Sequence, residues 1–96
     1  MLLLHLLSRG EMYGYEIVQE AARRSSNAFD LKEGTLYPAL HQLEKKGQIK
    51  SYWRTADNGR ERKYYSLTAK GRKLAAEYER QWEHLTGAIG AILESE

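Results

Sequence analysis

The sequence has 96 residues, of which 42% are hydrophobic and 29% are charged, a mixture typical of one small globular domain rather than a disordered chain. It contains no cysteine, which excludes disulfides, thiolate nucleophiles and thiolate metal sites. The longest apolar run, residues 2–7, is interrupted by His5. It is far shorter than the roughly 20 residues that span a bilayer, and it lacks the basic leader of a signal peptide. These features exclude a large enzyme, and we expect a compact cytoplasmic binding protein.

Positive charge is concentrated in one part of the chain. The formal net charge is only +2. Residues 51–73 nevertheless carry seven cationic side chains against Asp57 and Glu61, whereas residues 74–96 carry five carboxylates against Arg80. A local cationic patch is typical of a protein that binds nucleic acid or another polyanion. A solvated charged face without such a partner is the alternative.

Two short helices are predicted at the start of the chain. Residues 1–8 are apolar on nearly every side, which indicates a buried helix that ends before Gly10. Residues 14–25 form the second helix. Its inward stripe consists of Ile17, Val18, Ala21 and Ala22. Phe29 and Leu31 are expected to anchor the loop that follows.

Residues 33–46 are predicted to form a third helix. Leu36, Leu40 and Leu43 recur at spacings of four and three, which places them on one buried face. Pro38 disturbs the pattern because it cannot donate a backbone hydrogen bond. It lies near the first turn, however, so the helix is expected to continue through it with a slight bend.

A β-hairpin follows the third helix. Residues 49–56 and 60–67 are rich in Tyr, Trp, Ser and Thr and nearly alternate in polarity, which predicts two strands. Asn58-Gly59 between them favours a type I′ turn, which needs positive φ at both positions. The aromatic side chains expected to pack in the sheet and the core are Trp53, Tyr64 and Tyr65. Three helices and a basic hairpin make a winged helix-turn-helix, so the predicted fold class is mainly α with a β-hairpin wing.

The last predicted helix is long and amphipathic. Thr68 is a good N-cap, and the helix runs from Ala69 to about Glu94. At roughly 39 Å it is too long to be covered by so small a core, and its apolar residues recur as in a coiled coil. A second copy is expected to cover them in a homodimer: Tyr78, Trp82, Leu85, Ile89, Ile92 and Leu93. We therefore expect a winged helix-turn-helix domain, residues 1–67, that binds DNA through its cationic patch, and a dimerisation helix, residues 68–96.

Three motifs of this chain resemble those of a known family. Residues 33–47, EGTLYPALHQLEKKG, are similar to the recognition-helix signature of PadR-like transcriptional regulators. Residues 13–17, YGYEI, resemble the entry to the family's second helix, and residues 62–71, RKYYSLTAKG, resemble its second wing strand and helix junction. The single long C-terminal helix is similar to that of the shorter PadR subfamily.

The resemblance implies a bacterial or archaeal repressor that acts as a homodimer in the cytoplasm. Such a regulator binds double-stranded DNA at a pseudo-palindromic operator and releases it when a small molecule binds. The effectors of the family are often phenolic acids, drugs or other toxic aromatic compounds.

The candidate DNA-binding residues lie on the third helix and on the wing. In a winged helix the recognition helix enters the major groove, and the wing contacts the flanking backbone or the minor groove. With the leucines inward, the outward side chains can reach bases and phosphates. The candidates on and before the helix are Lys32, Thr35, Tyr37, Pro38, His41 and Gln42, and those on the wing are Arg60, Arg62 and Lys63. For Tyr37, packing between helices is the alternative.

Trp82 is the candidate effector-binding residue. It lies near the middle of the long helix, where two copies would cross, and two indole rings could hold a planar aromatic ligand between them. Burial in the dimer interface alone is the alternative. The three histidines lie far apart in the sequence, and no nucleophile is paired with a base. No metal site, cofactor or catalytic centre is therefore predicted.

Two other functions compete with that of a transcriptional regulator. A winged helix used for protein–protein contact would expose apolar or acidic residues on the recognition helix and would lack a cationic wing. A non-specific architectural DNA-binding protein would carry a similar charge pattern, and only its lack of sequence preference would separate it.

Overall fold

The computed structural model describes residues 2–28 and 30–95, so Met1, Phe29 and Glu96 lie outside the described residues. Its elements in chain order are α1 (Leu2–Leu7), β1 (Met12–Tyr13), α2 (Gly14–Arg24), α3 (Glu33–Lys45), β2 (Ile49–Thr55), β3 (Glu61–Leu67) and α4 (Ala69–Glu94). The four predicted helices and the hairpin are confirmed, and none of these elements begins or ends more than one residue from its predicted position. The helix α3 continues through Pro38, as expected.

A strand that the sequence did not predict completes the sheet. The strand order is β1-β3-β2, and both pairings are antiparallel. Met12 lies opposite Tyr65, and Tyr13 lies opposite Tyr64. A strand of two residues is too short to show an alternating pattern, and its partner lies far along the chain. It is therefore recognised only from the pairing itself.

The core lies between the helices and one face of the sheet. α1 contributes Leu3, Leu4, Leu6 and Leu7, and α3 contributes the predicted Leu36, Leu40 and Leu43. The other buried members are Ile17, Ala21, Leu31, Ile49, Tyr65, Leu67 and Ala75. The predicted loop anchor Leu31 is thus confirmed as a buried residue, whereas Val18 is only partly buried against the core.

The turn at the tip of the wing differs from the prediction. The Gly59 N–H donates to the Ala56 carbonyl at 2.9 Å, and the Ala56 N–H donates to the Arg60 carbonyl at 2.8 Å. Of Asn58 and Gly59, only Gly59 has a positive φ, at 79°. The predicted type I′ turn is therefore wrong, because that turn needs positive φ at two consecutive residues. The loop has three residues and ends on a left-handed glycine.

The start of α4 is tied to the end of α3. Thr68 Oγ1 accepts a hydrogen bond from the Gly71 N–H at 3.1 Å, which confirms the predicted N-cap, and it donates to the Gly47 carbonyl at 2.7 Å. Gly71 is buried, and a Cβ atom there would overlap the Gln48 carbonyl oxygen. Only glycine fits this close approach, which fixes where α4 leaves the winged helix.

Beyond this junction α4 extends away from the core. Gly71 and Ala75 are its buried residues, and Leu74 packs partly against the core. The rest of the helix contributes to a molecule that measures 59 × 29 × 23 Å. Among the described residues, no helix has both the length and the apolar character needed to cross a membrane.

Candidate nucleic-acid interface

The side chains of α3 divide into a buried set and an exposed set. Its three leucines are buried, as the helical spacing predicted. All the candidate DNA-binding side chains on this helix are exposed: Thr35, Tyr37, Pro38, His41 and Gln42. The exposed set offers hydroxyl, imidazole and amide groups, which can hydrogen-bond base edges and phosphates.

Lys32, the candidate that precedes α3, is paired with an acidic neighbour. Its Nζ lies 2.6 Å from Asp30 Oδ2, and this hydrogen bond and the carboxylate charge raise the pKa of Lys32 above its ordinary value. Both side chains are well exposed, and exposed pairs contribute little to stability. A phosphate can therefore replace Asp30 at small cost.

Tyr37 is exposed, but its ring packs against the start of α2. A Cβ atom added at Gly14 would overlap its hydroxyl oxygen, so the ring passes close over that glycine. Burial raises the pKa of the neighbouring Tyr65, and Tyr37 and Glu44 add to the effect. Tyr37 thus packs against the start of α2 and still exposes part of its side chain, and its contact with DNA stays a prediction.

The three predicted cations of the wing lie in different surroundings. Arg60 precedes β3 and is exposed at the tip. The guanidinium carbon of Arg62 lies 4.3 Å from the centroid of the Tyr13 ring. Lys63 Nζ lies 5.8 Å from the centroid of the Tyr65 ring. Arg62 and Lys63 are therefore half-buried against aromatic rings.

The outer face of the sheet carries a further arginine that sequence reasoning missed. The Tyr52 and Tyr64 rings stack with centroids 6.1 Å apart, and the Arg54 guanidinium lies 5.3 Å from the Tyr64 centroid. Arg54 also forms an ion pair with Glu11. Its opposite-strand neighbour is Arg62. The signal that could have found it is the strand alternation, which places Tyr52 and Arg54 on one face.

Trp53 is not packed in the core, which corrects the prediction made for it. Its side chain is 66% exposed, whereas Tyr65 is buried and Tyr64 is half-buried. Trp53 shares the inward face of β2 with buried Ile49, but it pairs with Lys63 further toward the tip. The hairpin extends past the core at this point, so an inward-facing position is no longer a covered one.

A cleft lies between the start of α2, Tyr37 of α3 and the wing. Its volume is about 430 Å³, and we refer to it as the wing cleft. It is lined by Tyr13, Gly14, Tyr15, Tyr37, Trp53, Arg62, Lys63 and Tyr65. Three of the predicted DNA-binding residues therefore meet here, together with Tyr15 and Trp53, which sequence reasoning did not assign to DNA.

The predicted dimer residues form an exposed apolar strip along α4. All of them are exposed: Tyr78, Trp82, Leu85, Ile89, Ile92 and Leu93. A second cavity of about 730 Å³ lies where this strip meets α1, and we refer to it as the α4 groove. Leu2, His5, Tyr78 and Trp82 are among the residues that line it. The Trp82 side chain is 64% exposed.

Residues 2–28 and 30–95 contain no cluster of three or more His, Asp or Glu side chains that could hold a metal ion. The candidate functional residues lie on α3, on the cationic wing and on the apolar strip of α4. This arrangement defines the chain as a winged helix-turn-helix protein.

Comparison with known proteins specifies the class further. The sequence profile of the Transcriptional regulator PadR-like family matches residues 3–77. Transcriptional regulator Rv3488 of Mycobacterium tuberculosis is 37% identical over 87 residues, which cover 91% of this chain and 78% of that protein. The crystal structure of a PadR-like transcriptional regulator from Bacillus cereus has a TM-score of 0.87 at 28% identity, covering 98% of this chain and 89% of that one. A PadR family transcription regulator from Clostridium difficile has a TM-score of 0.81 at 35% identity, covering 96% and 94%.

The chain belongs to the PadR-like family of transcriptional regulators. The family consists of DNA-binding proteins rather than enzymes. The resemblance seen in its three sequence motifs and the predicted fold class are both confirmed.

Proposed function

We propose that this PadR-family regulator binds a specific pseudo-palindromic operator as a homodimer and acts as a repressor. The observation that carries the proposal is the division of α3 into buried leucines and an exposed polar strip, beside a wing whose tip exposes Arg60. The exposed polar residues of α3 contact base edges in the major groove. Among them, His41 and Gln42 carry the imidazole and amide groups best suited to hydrogen-bond a base. The DNA backbone is contacted by the wing cations and by Lys32, Thr35 and Tyr37.

A second copy covers the exposed strip of α4. Six large apolar side chains along one helix are too much area to leave in water on a small monomer. Dimerisation is also typical of the family. Residues 68–96 act as the dimerisation helix and residues 1–67 as the DNA-binding domain. Since its partner is operator DNA, the dimer acts in the cytoplasm.

The α4 groove supports a regulatory role as well. It is large enough for a small molecule, and it places exposed Trp82 beside Tyr78. A planar aromatic effector stacks on Trp82 and lowers the affinity for DNA. In a Trp53→Phe variant Trp82 is the single tryptophan, and its fluorescence is quenched by an effector. If no compound in a broad panel of planar aromatic compounds changes the fluorescence of Trp82, this residue is a dimer contact only.

The test of the main proposal is a selection of bound sequences from a random duplex library at about 150 mM salt. An inverted repeat with half-site centres about 34–36 Å apart is expected, since each recognition helix reads one half-site. Binding without an enriched motif would indicate a non-specific architectural protein. No binding at any salt concentration would favour a protein–protein module.

A further inference from the structure

The exposed large hydrophobic side chains among the described residues form two groups. One group follows α1 and α4, and consists of Leu2, Tyr78, Trp82, Leu85, Ile89, Ile92 and Leu93. The other group is Tyr15, Tyr37 and Trp53, and all three line the wing cleft. The proposed dimer interface and the α4 groove account for the first group. They leave Trp53 and Tyr15, which are 66% and 60% exposed, without an explanation.

The wing cleft also carries positive charge. Arg62 and Lys63 line it, and no carboxylate is present among its described lining residues. Both cations lie against aromatic rings, which limits their freedom before a ligand arrives. The tyrosine hydroxyls and the indole N–H add hydrogen-bond donors. Such a cleft fits a ligand that combines an anionic group with an apolar ring.

The position of the cleft in the fold indicates which ligand of this kind it binds. Tyr15 lies at the start of α2, Tyr37 lies on α3, and Trp53 lies on β2. When α3 occupies the major groove and the wing contacts the flanking backbone, the DNA strand between them passes over this cleft. A duplex keeps its bases stacked inside, so it presents deoxyribose and phosphate to the protein.

We propose that the wing cleft binds one sugar–phosphate unit of duplex DNA. The phosphate contacts Arg62 and Lys63, and the deoxyribose packs against Trp53 and Tyr15. The inference rests on the proposed function, and it adds to the interface two aromatic residues that no sequence argument had assigned to it.

The first test measures DNA affinity and its salt dependence, using a duplex enriched in the selection. Trp53→Ala weakens binding about tenfold, equivalent to about 1.4 kcal/mol. It leaves the slope of log K against log salt unchanged, because it removes no cation. Lys63→Gln lowers that slope by about 0.9, as expected for the loss of one phosphate contact. The matched control is Thr55→Ala, since Thr55 is exposed on the same face of β2 and does not line the cleft.

The second test observes Trp53 directly. In protein labelled with 5-fluorotryptophan, the fluorine resonance of Trp53 shifts when the duplex is added, and the Trp82 resonance is the internal comparison. The Trp53→Ala spectrum assigns the two signals. An unchanged Trp53 resonance on saturated protein overturns the proposal while leaving DNA binding in place.

Two other outcomes also overturn it. Wild-type affinity in Trp53→Ala removes Trp53 from the interface. A loss confined to single-stranded DNA means that Trp53 stacks on an unpaired base instead. Failure of the wild-type protein to bind any duplex is the distinct result that overturns the proposed function itself.

Discussion

The guanidinium carbon of Arg62 lies 4.3 Å from the centroid of the Tyr13 ring. This contact joins β3 to β1, the strand that immediately precedes α2. The Glu16 carboxylate accepts a hydrogen bond from the Tyr13 N–H at 3.1 Å, which fixes the start of α2. The ring therefore holds a wing cation at a defined distance from the helices, and less side-chain freedom is lost when that cation contacts a phosphate.

We expect Tyr13→Leu to weaken DNA binding about two- to fivefold, the equivalent of one partly exposed cation–π contact. The salt slope stays unchanged, because no charge is removed. Arg62→Ala lowers the slope by about 0.9. Fluorescence anisotropy of a labelled duplex at several salt concentrations measures both effects. In an Arg62→Ala background Tyr13→Leu has no further effect, and equal losses in both backgrounds would show that the ring does not act through Arg62.

The recognition helix is expected to separate base readout from backbone contact. His41→Ala and Gln42→Ala each reduce discrimination at one base pair by about 1–3 kcal/mol, because each removes a group that reads a base edge. Lys32→Ala weakens binding to all sequences alike and lowers the salt slope by about one unit. Repeating the selection with each variant measures the difference. If both α3 variants instead lose the same affinity for every sequence, these side chains contact the DNA backbone rather than base edges.

The α4 strip is tested by charge substitution. The double variant Leu85→Asp and Ile89→Asp is expected to be monomeric, since two carboxylates cannot be buried in an apolar interface. Ala91→Asp is the control, because Ala91 is exposed on another side of the helix. Light scattering coupled to size exclusion gives the mass of each variant. A dimeric double variant would show that the strip is not the interface.

Two glycines of α4 give a matched comparison of packing. Gly71→Ala is expected to lower the free energy of unfolding by about 1–3 kcal/mol, because the added methyl meets the Gln48 carbonyl. Gly87→Ala adds a methyl group in open space and raises it by up to about 1 kcal/mol through helix propensity. Chemical denaturation monitored by circular dichroism measures both. If the two substitutions change the free energy of unfolding equally, the backbone around Gly71 accommodates the added methyl group without loss of stability.

Glu20 links stability to acidic pH. Hydrogen bonds from Arg23 and Arg24 hold the pKa of Glu20 at about 2, below its ordinary 4.5. The unfolded chain therefore binds more protons at acidic pH, and the stabilisation present above pH 4.5 is lost as pH falls toward 2. The difference in unfolding free energy between the wild type and Glu20→Gln is expected to be constant above about pH 5 and to shrink below it. Since these side chains are at the surface, high salt reduces the difference.

Much of the fold could be predicted because its signals are local. The leucine spacing of α3 and the Thr68 cap depend on residues within a few positions of one another, so the pattern alone indicates a helix and its start. The same locality gave the outward face of α3. It also explains the error at the wing tip, where Asn58-Gly59 fits more than one hairpin turn and the length of the loop decides between them.

The wing cleft could not be predicted, because its parts come from distant segments. β1 has only two residues and is defined by pairing with β3, more than fifty positions away. The exposure of Trp53 depends on where the core ends beneath β2, which strand alternation does not encode. The sequence by itself therefore determined the helices, the hairpin, the family and the candidate side chains, since these follow from local spacing and motif. Only the tertiary structure decided which side chains meet, because burial and ring contacts depend on how the elements pack.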